Sequence, residues 1–100
     1  DTAGTVVGTQ TSSRETKLIH NEFTDYNKAL STILQTPIYN FEYKSGAYNY
    51  NQFVGVVAED SPEFAMDSGR SFNPISAFGY TVAAVKALET RIRNLENRGN

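Results

Sequence analysis

Residues 74–97 read PISAFGYTVAAVKALETRIRNLEN, and this stretch decides the fold. Ile75, Phe78, Val82 and Val85 step by three and four, and Leu88, Ile92 and Leu95 carry the same apolar stripe onward. That period predicts one long helix. Asn73 before Pro74 supplies a cap followed by proline at the first helical position, and Gly99 stands where helices commonly end. The second consecutive step of three, from Val85 to Leu88, departs from a strict heptad and would overwind a supercoil locally. Glu89 and Arg93 fall four apart and can pair on the solvent side. At 1.5 Å per residue the helix is about 35 Å long, more than one small domain covers along its length. The stripe therefore predicts burial against copies of itself, with a lengthwise seat on the chain's own sheet as the alternative.

Working back from the helix, Ser61-Pro62 repeats the cap-then-proline signature and predicts one short helical turn. Asp67-Ser68-Gly69 reads as a tight turn. Residues 52–58 (QFVGVVA) form an apolar run suited to a buried strand, with Gly55 marking a bulge or a close backbone approach. Residues 38–44 (IYNFEYK) alternate, placing Tyr39, Phe41 and Tyr43 on one face, and the two runs are expected to pair as a hairpin across the polar SGAYNYN turn. A shorter helix opens near Thr24, read as its cap, carries Tyr26, Leu30, Ile33 and Leu34 on one face, and is stopped by Pro37. The Gly-, Thr- and Ser-rich residues 1–13 read as an extended arm. The expected class is α+β: a short helix, a small antiparallel sheet, and a long C-terminal helix in a trimeric coiled-coil-like bundle.

Composition narrows the function. One hundred residues make a marginal core, which favours oligomerisation. A net charge of -2 and a sequence pI near 5.3 argue against a nucleic-acid partner or an anionic membrane surface. The apolar runs are too short for a membrane span. With no cysteine, disulfides and thiolate metal sites are excluded. The single imidazole, His20, reads as a surface residue, and the acidic group Glu59, Asp60 and Glu63 reads as a complement to a helix N-terminus rather than a metal site. No phosphate-loop fingerprint is present, and neither a metal nor a cofactor is expected.

One constellation suits chemistry. In Ser12-Ser13-Arg14-Glu15-Thr16-Lys17, a serine hydroxyl lies five residues before a lysine. Serine needs a neighbouring base to become a nucleophile, and lysine serves when burial favours its neutral form. The two side chains meet if the chain turns between them. Taken alone, the pattern is equally that of a polar turn.

The order of segments adds to it. Ser12 to Lys17, then ALSTILQTPIYNFEYK, FVGVVAEDSPEF and SFNPISAFGYTVAAVKALETRIRNLE, resembles the C-terminal chaperone domain of phage endosialidases, tail spikes and neck appendages, a domain type also found in myelin gene regulatory transcription factors. Ser12, Arg14 and Lys17 match its opening; Leu34, Pro37, Phe41 and Tyr43 the next part; Gly55, Ala58, Glu59, Pro62 and Glu63 the third; and the helix to Leu95 the last. The resemblance spans residues 12–97 and implies residues 1–11 as the end of an upstream stalk or arm and 12–100 as the chaperone.

It also implies an activity, a homotrimer and a fate. Ser12 attacks the carbonyl of Thr11 with Lys17 as base, so that the Thr11–Ser12 bond is cut and the finished fibre is released. Assembly takes place in the host cytoplasm, and the module is absent from the mature fibre. The partners implied are two further copies and the upstream stalk of the same polypeptide. The family often carries an acidic residue directly after the nucleophile, whereas this chain has Ser13, which leaves Ser13 as an alternative nucleophile and Glu15 as an alternative to Lys17. An uncut trimerisation tip, or a receptor-binding tip using Tyr39, Tyr48 and Tyr50, are the competing expectations.

Overall fold

A computed structural model describes residues 12–46, 51–66 and 69–99. The architecture is α+β. Helix α1 (Tyr26–Gln35) leads to strands β1 (Tyr39–Phe41) and β2 (Phe53–Gly55), then to 3-10 turns at Ala58–Asp60 and Pro62–Phe64. A second antiparallel pair, β3 (Ala65–Met66) with β4 (Ser71–Phe72), precedes the 25-residue helix α2 (Pro74–Arg98).

The caps explain the helix bounds. Asn73 Oδ1 accepts from Ser76 N at 3.1 Å and Pro74 has no N–H that needs an acceptor there, so α2 starts where the sequence places it. Its end is closed by the Gly99 amide, which donates to Leu95 O and Glu96 O. For α1 the cap is Asp25 rather than Thr24, because the Asp25 carboxylate reaches Lys28 N at 3.2 Å. Before Pro37, Thr36 is extended (φ -91°, ψ 116°), which stops α1 as expected.

α1 packs antiparallel on α2. Asn27 lies beside Arg91, with Arg91 Nη2 donating to Asn27 Oδ1 at 3.5 Å, and Lys86 Nζ sits 5.5 Å from the Tyr26 ring. The shared core is Leu30 against Ala84 and Ala87, flanked by Tyr26 and Ile33. Ala29 and Ala83 are also buried. Leu34, expected on this face, is instead 74 % exposed. Because the α2 side of the contact is made of alanines, a leucine at Ala87 has no room. We expect Ala87→Leu to destabilise the fold by about 1–3 kcal/mol, read by urea unfolding at fixed protein concentration; an unchanged midpoint would contradict this packing.

A second buried centre is aromatic. Phe64, 2 % exposed, meets Tyr80 of α2 edge-on at 5.2 Å and Phe72 of β4 at 6.3 Å, and Phe23 reaches the same tyrosine at 5.4 Å. Ser61 precedes the Pro62–Phe64 turn as expected, its carbonyl accepting from Phe64 N at 2.8 Å, while its buried hydroxyl donates to Val57 O at 2.9 Å.

The hairpin forms in the register Tyr39↔Gly55, Asn40↔Val54 and Phe41↔Phe53. Both strands are shorter than the apolar runs suggest, since Ala58 already begins a 3-10 turn. Phe41, Tyr43 and Phe53 cluster at ring separations of 5.4 to 5.6 Å. A side chain at Gly55 would bring a Cβ within 3.1 Å of the Phe41 ring, so the glycine marks a close approach. In the turn predicted at Asp67-Ser68-Gly69, Gly69 takes φ +86°, while Asp67 and Ser68 lie outside the described residues. The arm at residues 1–11 also lies outside them.

The seven residues of the predicted stripe stand largely clear of the chain's own packing. Ile75, Phe78, Val82, Val85, Leu88, Ile92 and Leu95 are 41 to 71 % exposed in the single chain. At 100° per residue their ridge is centred roughly 140° around α2 from the alanine face that holds α1. Past Arg91 the helix continues for two turns beyond the start of α1. That overhang contributes to a Cα radius of gyration of 17.1 Å, against about 13 Å for a compact domain of this size. Among the described residues, no helix is long and apolar enough to cross a membrane.

Candidate functional site

The Ser12–Lys17 segment folds into a small frame of local hydrogen bonds. Ser13 is extended (φ -69°, ψ 145°) and caps a 3-10 turn at Arg14–Thr16, its Oγ accepting from Glu15 N at 3.1 Å. Thr16 binds the Ser13 carbonyl twice, through its amide at 3.1 Å and its hydroxyl at 2.9 Å. Lys17 N then closes the turn on Arg14 O at 3.3 Å. A serine followed three positions later by a threonine favours this local arrangement, because both hydroxyls can bond nearby backbone.

The turn reverses the chain enough for its two ends to meet. Lys17 Nζ lies 2.6 Å from Ser12 Oγ, the ammonium donating to the hydroxyl oxygen. That is a short, charge-assisted distance. When the amine is neutral, the same contact lets the hydroxyl donate to nitrogen, as general-base activation requires.

The neighbouring candidates are placed differently. Ser13 Oγ is occupied by the cap, and the Glu15 side chain makes no hydrogen bond among the described residues. Geometry thus joins Lys17 to Ser12 and joins neither Ser13 nor Glu15 to it. Thr11, which supplies the carbonyl of the proposed cut, lies outside the described residues. Ser12 through Phe23 are all exposed, including Leu18 and Ile19 directly after the lysine. No protein-family model, curated protein or solved structure matches the chain.

The acidic group is used within the fold. Asp60 accepts from the Tyr39 hydroxyl at 3.0 Å, and Glu63 accepts from Tyr80 at 3.4 Å. No group of three or more metal-ligating side chains occurs among the described residues. Tyr39, one of three tyrosines considered for a receptor surface, is therefore engaged in holding the hairpin to the Ala58–Asp60 turn, and Tyr48 and Tyr50 lie outside the described residues.

The Asp60 contact has a titration signature. The hydrogen bond to Asp60 raises the Tyr39 phenol above its ordinary 10.0, and repulsion from the carboxylate and a little burial add to the rise. A raised acid keeps its proton in the folded chain, so this contact is complete below pH 10.0 and is lost as pH climbs through the raised value. In an alkaline titration followed by tyrosinate absorbance, Tyr39→Phe should remove a phenol that ionises above that ordinary value. Asp60→Asn should return it to the ordinary range; a late phenol surviving both changes would refute the assignment.

Proposed function

We propose that the chain is an intramolecular chaperone that holds three copies of a phage tail spike or fibre in register and then releases itself by cutting Thr11–Ser12. The observation that carries the reading is the 2.6 Å contact between Lys17 Nζ and Ser12 Oγ. The segment order set out above is consistent with it, and so is the exposed ridge of α2.

The reaction balances without a cofactor. Neutral Lys17 takes the Ser12 hydroxyl proton as Oγ attacks the Thr11 carbonyl carbon. The C–N bond breaks, the nitrogen of Ser12 leaves as an amine after gaining a proton, and Thr11 is left esterified to Ser12. Water hydrolyses the ester, ending the upstream chain at Thr11 with a carboxylate and restoring the Ser12 hydroxyl. Enclosure by neighbouring copies favours the neutral amine that accepts the proton. Assembly would thereby act as the trigger, since Lys17 of the single protomer stands in solvent.

Such a device suits fibres whose chain pairings are distant in sequence, because closure entropy must be met before contacts reward it. A C-terminal clamp raises the effective concentration of the three chains, and its removal leaves the product kinetically trapped. The copy number is a separate matter. Val85 and Ile92 alternating with Leu88 and Leu95 is a pattern that suits two strands in an isolated coiled coil, so sedimentation equilibrium decides between a dimer and the trimer proposed here. Mass spectrometry of a chain extended upstream of Thr11 tests the cut: a fragment beginning at Ser12 supports it, and an intact assembled chain identifies an uncut tip.

A further inference from the structure

We propose that α2 associates with a second copy of itself in parallel and in register, fixed by an ion pair between Arg91 of one copy and Glu96 of the next. The inference rests on the assembly in the reading above and is independent of the cut.

Counted from Val85, the ridge runs Val85, Leu88, Ile92, Leu95 with steps of three, four and three. Val85 and Ile92 take the first core position of the heptad, and Leu88 and Leu95 the second. The flanking positions then carry opposite charge: Arg91 and Arg98 line one side of the ridge, and Glu89 and Glu96 line the other. In a parallel pair, each flanking residue meets the opposite flank of its neighbour five positions further along, which brings Arg91 to Glu96. In an antiparallel pair, like flanks face each other and set arginine against arginine and glutamate against glutamate.

The contacts within the chain agree with this division. Glu89, whose parallel partner position is the buried Ala84, is paired internally with Arg93 at 2.6 Å. The Glu96 side chain has no partner among the described residues and stands on the overhang beyond α1. Among the described residues, Arg91 hydrogen-bonds only to the neutral Asn27, at the long distance of 3.5 Å. The one complementary pair that a parallel partner would complete is the pair with charge to spare.

Charge reversal tests this directly. Arg91 and Glu96 are five residues apart, about 140° around the helix, so they do not touch within one copy. Any coupling between them must act between copies. In sedimentation equilibrium of the full chain at low salt, Arg91→Glu and Glu96→Arg should each weaken self-association by about tenfold. The double variant should return to within about twofold of wild type. Among the described residues the Glu96 side chain makes no hydrogen bond or ion pair in its own copy and stands exposed on the overhang, so Glu96→Arg should fold even if Arg91→Glu loosens α1. A double variant no better than the combined singles, tighter association of Arg91→Glu, or a wild-type chain that stays monomeric would each overturn the inference. Cutting that persists while the coupling is absent would remove this inference alone.

Discussion

A chain extended upstream of Thr11 and carrying Ser12→Ala should remain whole under conditions in which the wild type yields a new N-terminus at Ser12. Removing the hydroxyl that Lys17 touches removes the nucleophile itself, so the rate should fall at least about a thousandfold. Lys17→Met keeps the hydroxyl and loses the base, for which a fall of about a hundred- to ten-thousandfold is expected. Ser13→Ala separates position from chemistry. It deletes the cap from Ser13 Oγ to Glu15 N, worth about 0.5–2 kcal/mol, and should slow the cut without abolishing it. Sedimentation must show each variant assembled as the wild type is, because loss of assembly would stop the cut for another reason. Scission persisting in Ser12→Ala and vanishing in Ser13→Ala would move the nucleophile by one residue and overturn the assignment.

The second large effect concerns the ridge. Ile92 is 52 % exposed and lies on the α2 overhang, where a substitution in a lone protomer should change stability by no more than about 0.5 kcal/mol. In an assembly closed by this ridge, Ile92→Asp places an unpaired carboxylate in every copy's share of the apolar seam. Self-association should then fall more than about a hundredfold, leaving a protomer that sediments alone while α1 and α2 keep their helical signal. Asn97→Asp, on the same overhang but off the ridge, should sediment as the wild type does. An Ile92→Asp chain that assembles normally would mean that the ridge faces solvent in the working protein.

Much of the fold could be read from residues with strong local preferences. Asn73-Pro74 placed the start of α2, Pro37 placed the end of α1, and Gly55 announced the close approach that Phe41 fills. The cap of α1 lies one residue beyond the sequence expectation, because Thr24 and Asp25 are both good caps and only the reach of the carboxylate to Lys28 N separates them. The β3–β4 ladder leaves no mark in the sequence, since two residues per strand carry no alternation. Ser61-Pro62 marks the start of the short turn correctly, but the sequence leaves open which backbone group the Ser61 hydroxyl serves, and it turns back to the Val57 carbonyl. At the candidate site, the five-residue spacing of Ser12 and Lys17 is visible in the sequence, whereas the Ser13 and Thr16 bonds that bend the segment compete with many other local partners and show only in the fold.

The alanine face of α2 restricts how that helix can sit. Leu30 fits over Ala84 and Ala87 because both are small. Turning α2 about its axis to hide Val85 or Ile92 against α1 would press bulky side chains into that narrow gap and turn the alanines to water. The helix thus has one admissible roll angle. A protomer cannot relieve its own stickiness by rotating the ridge inward, and its outward face is guaranteed by the smallness of what lies behind it.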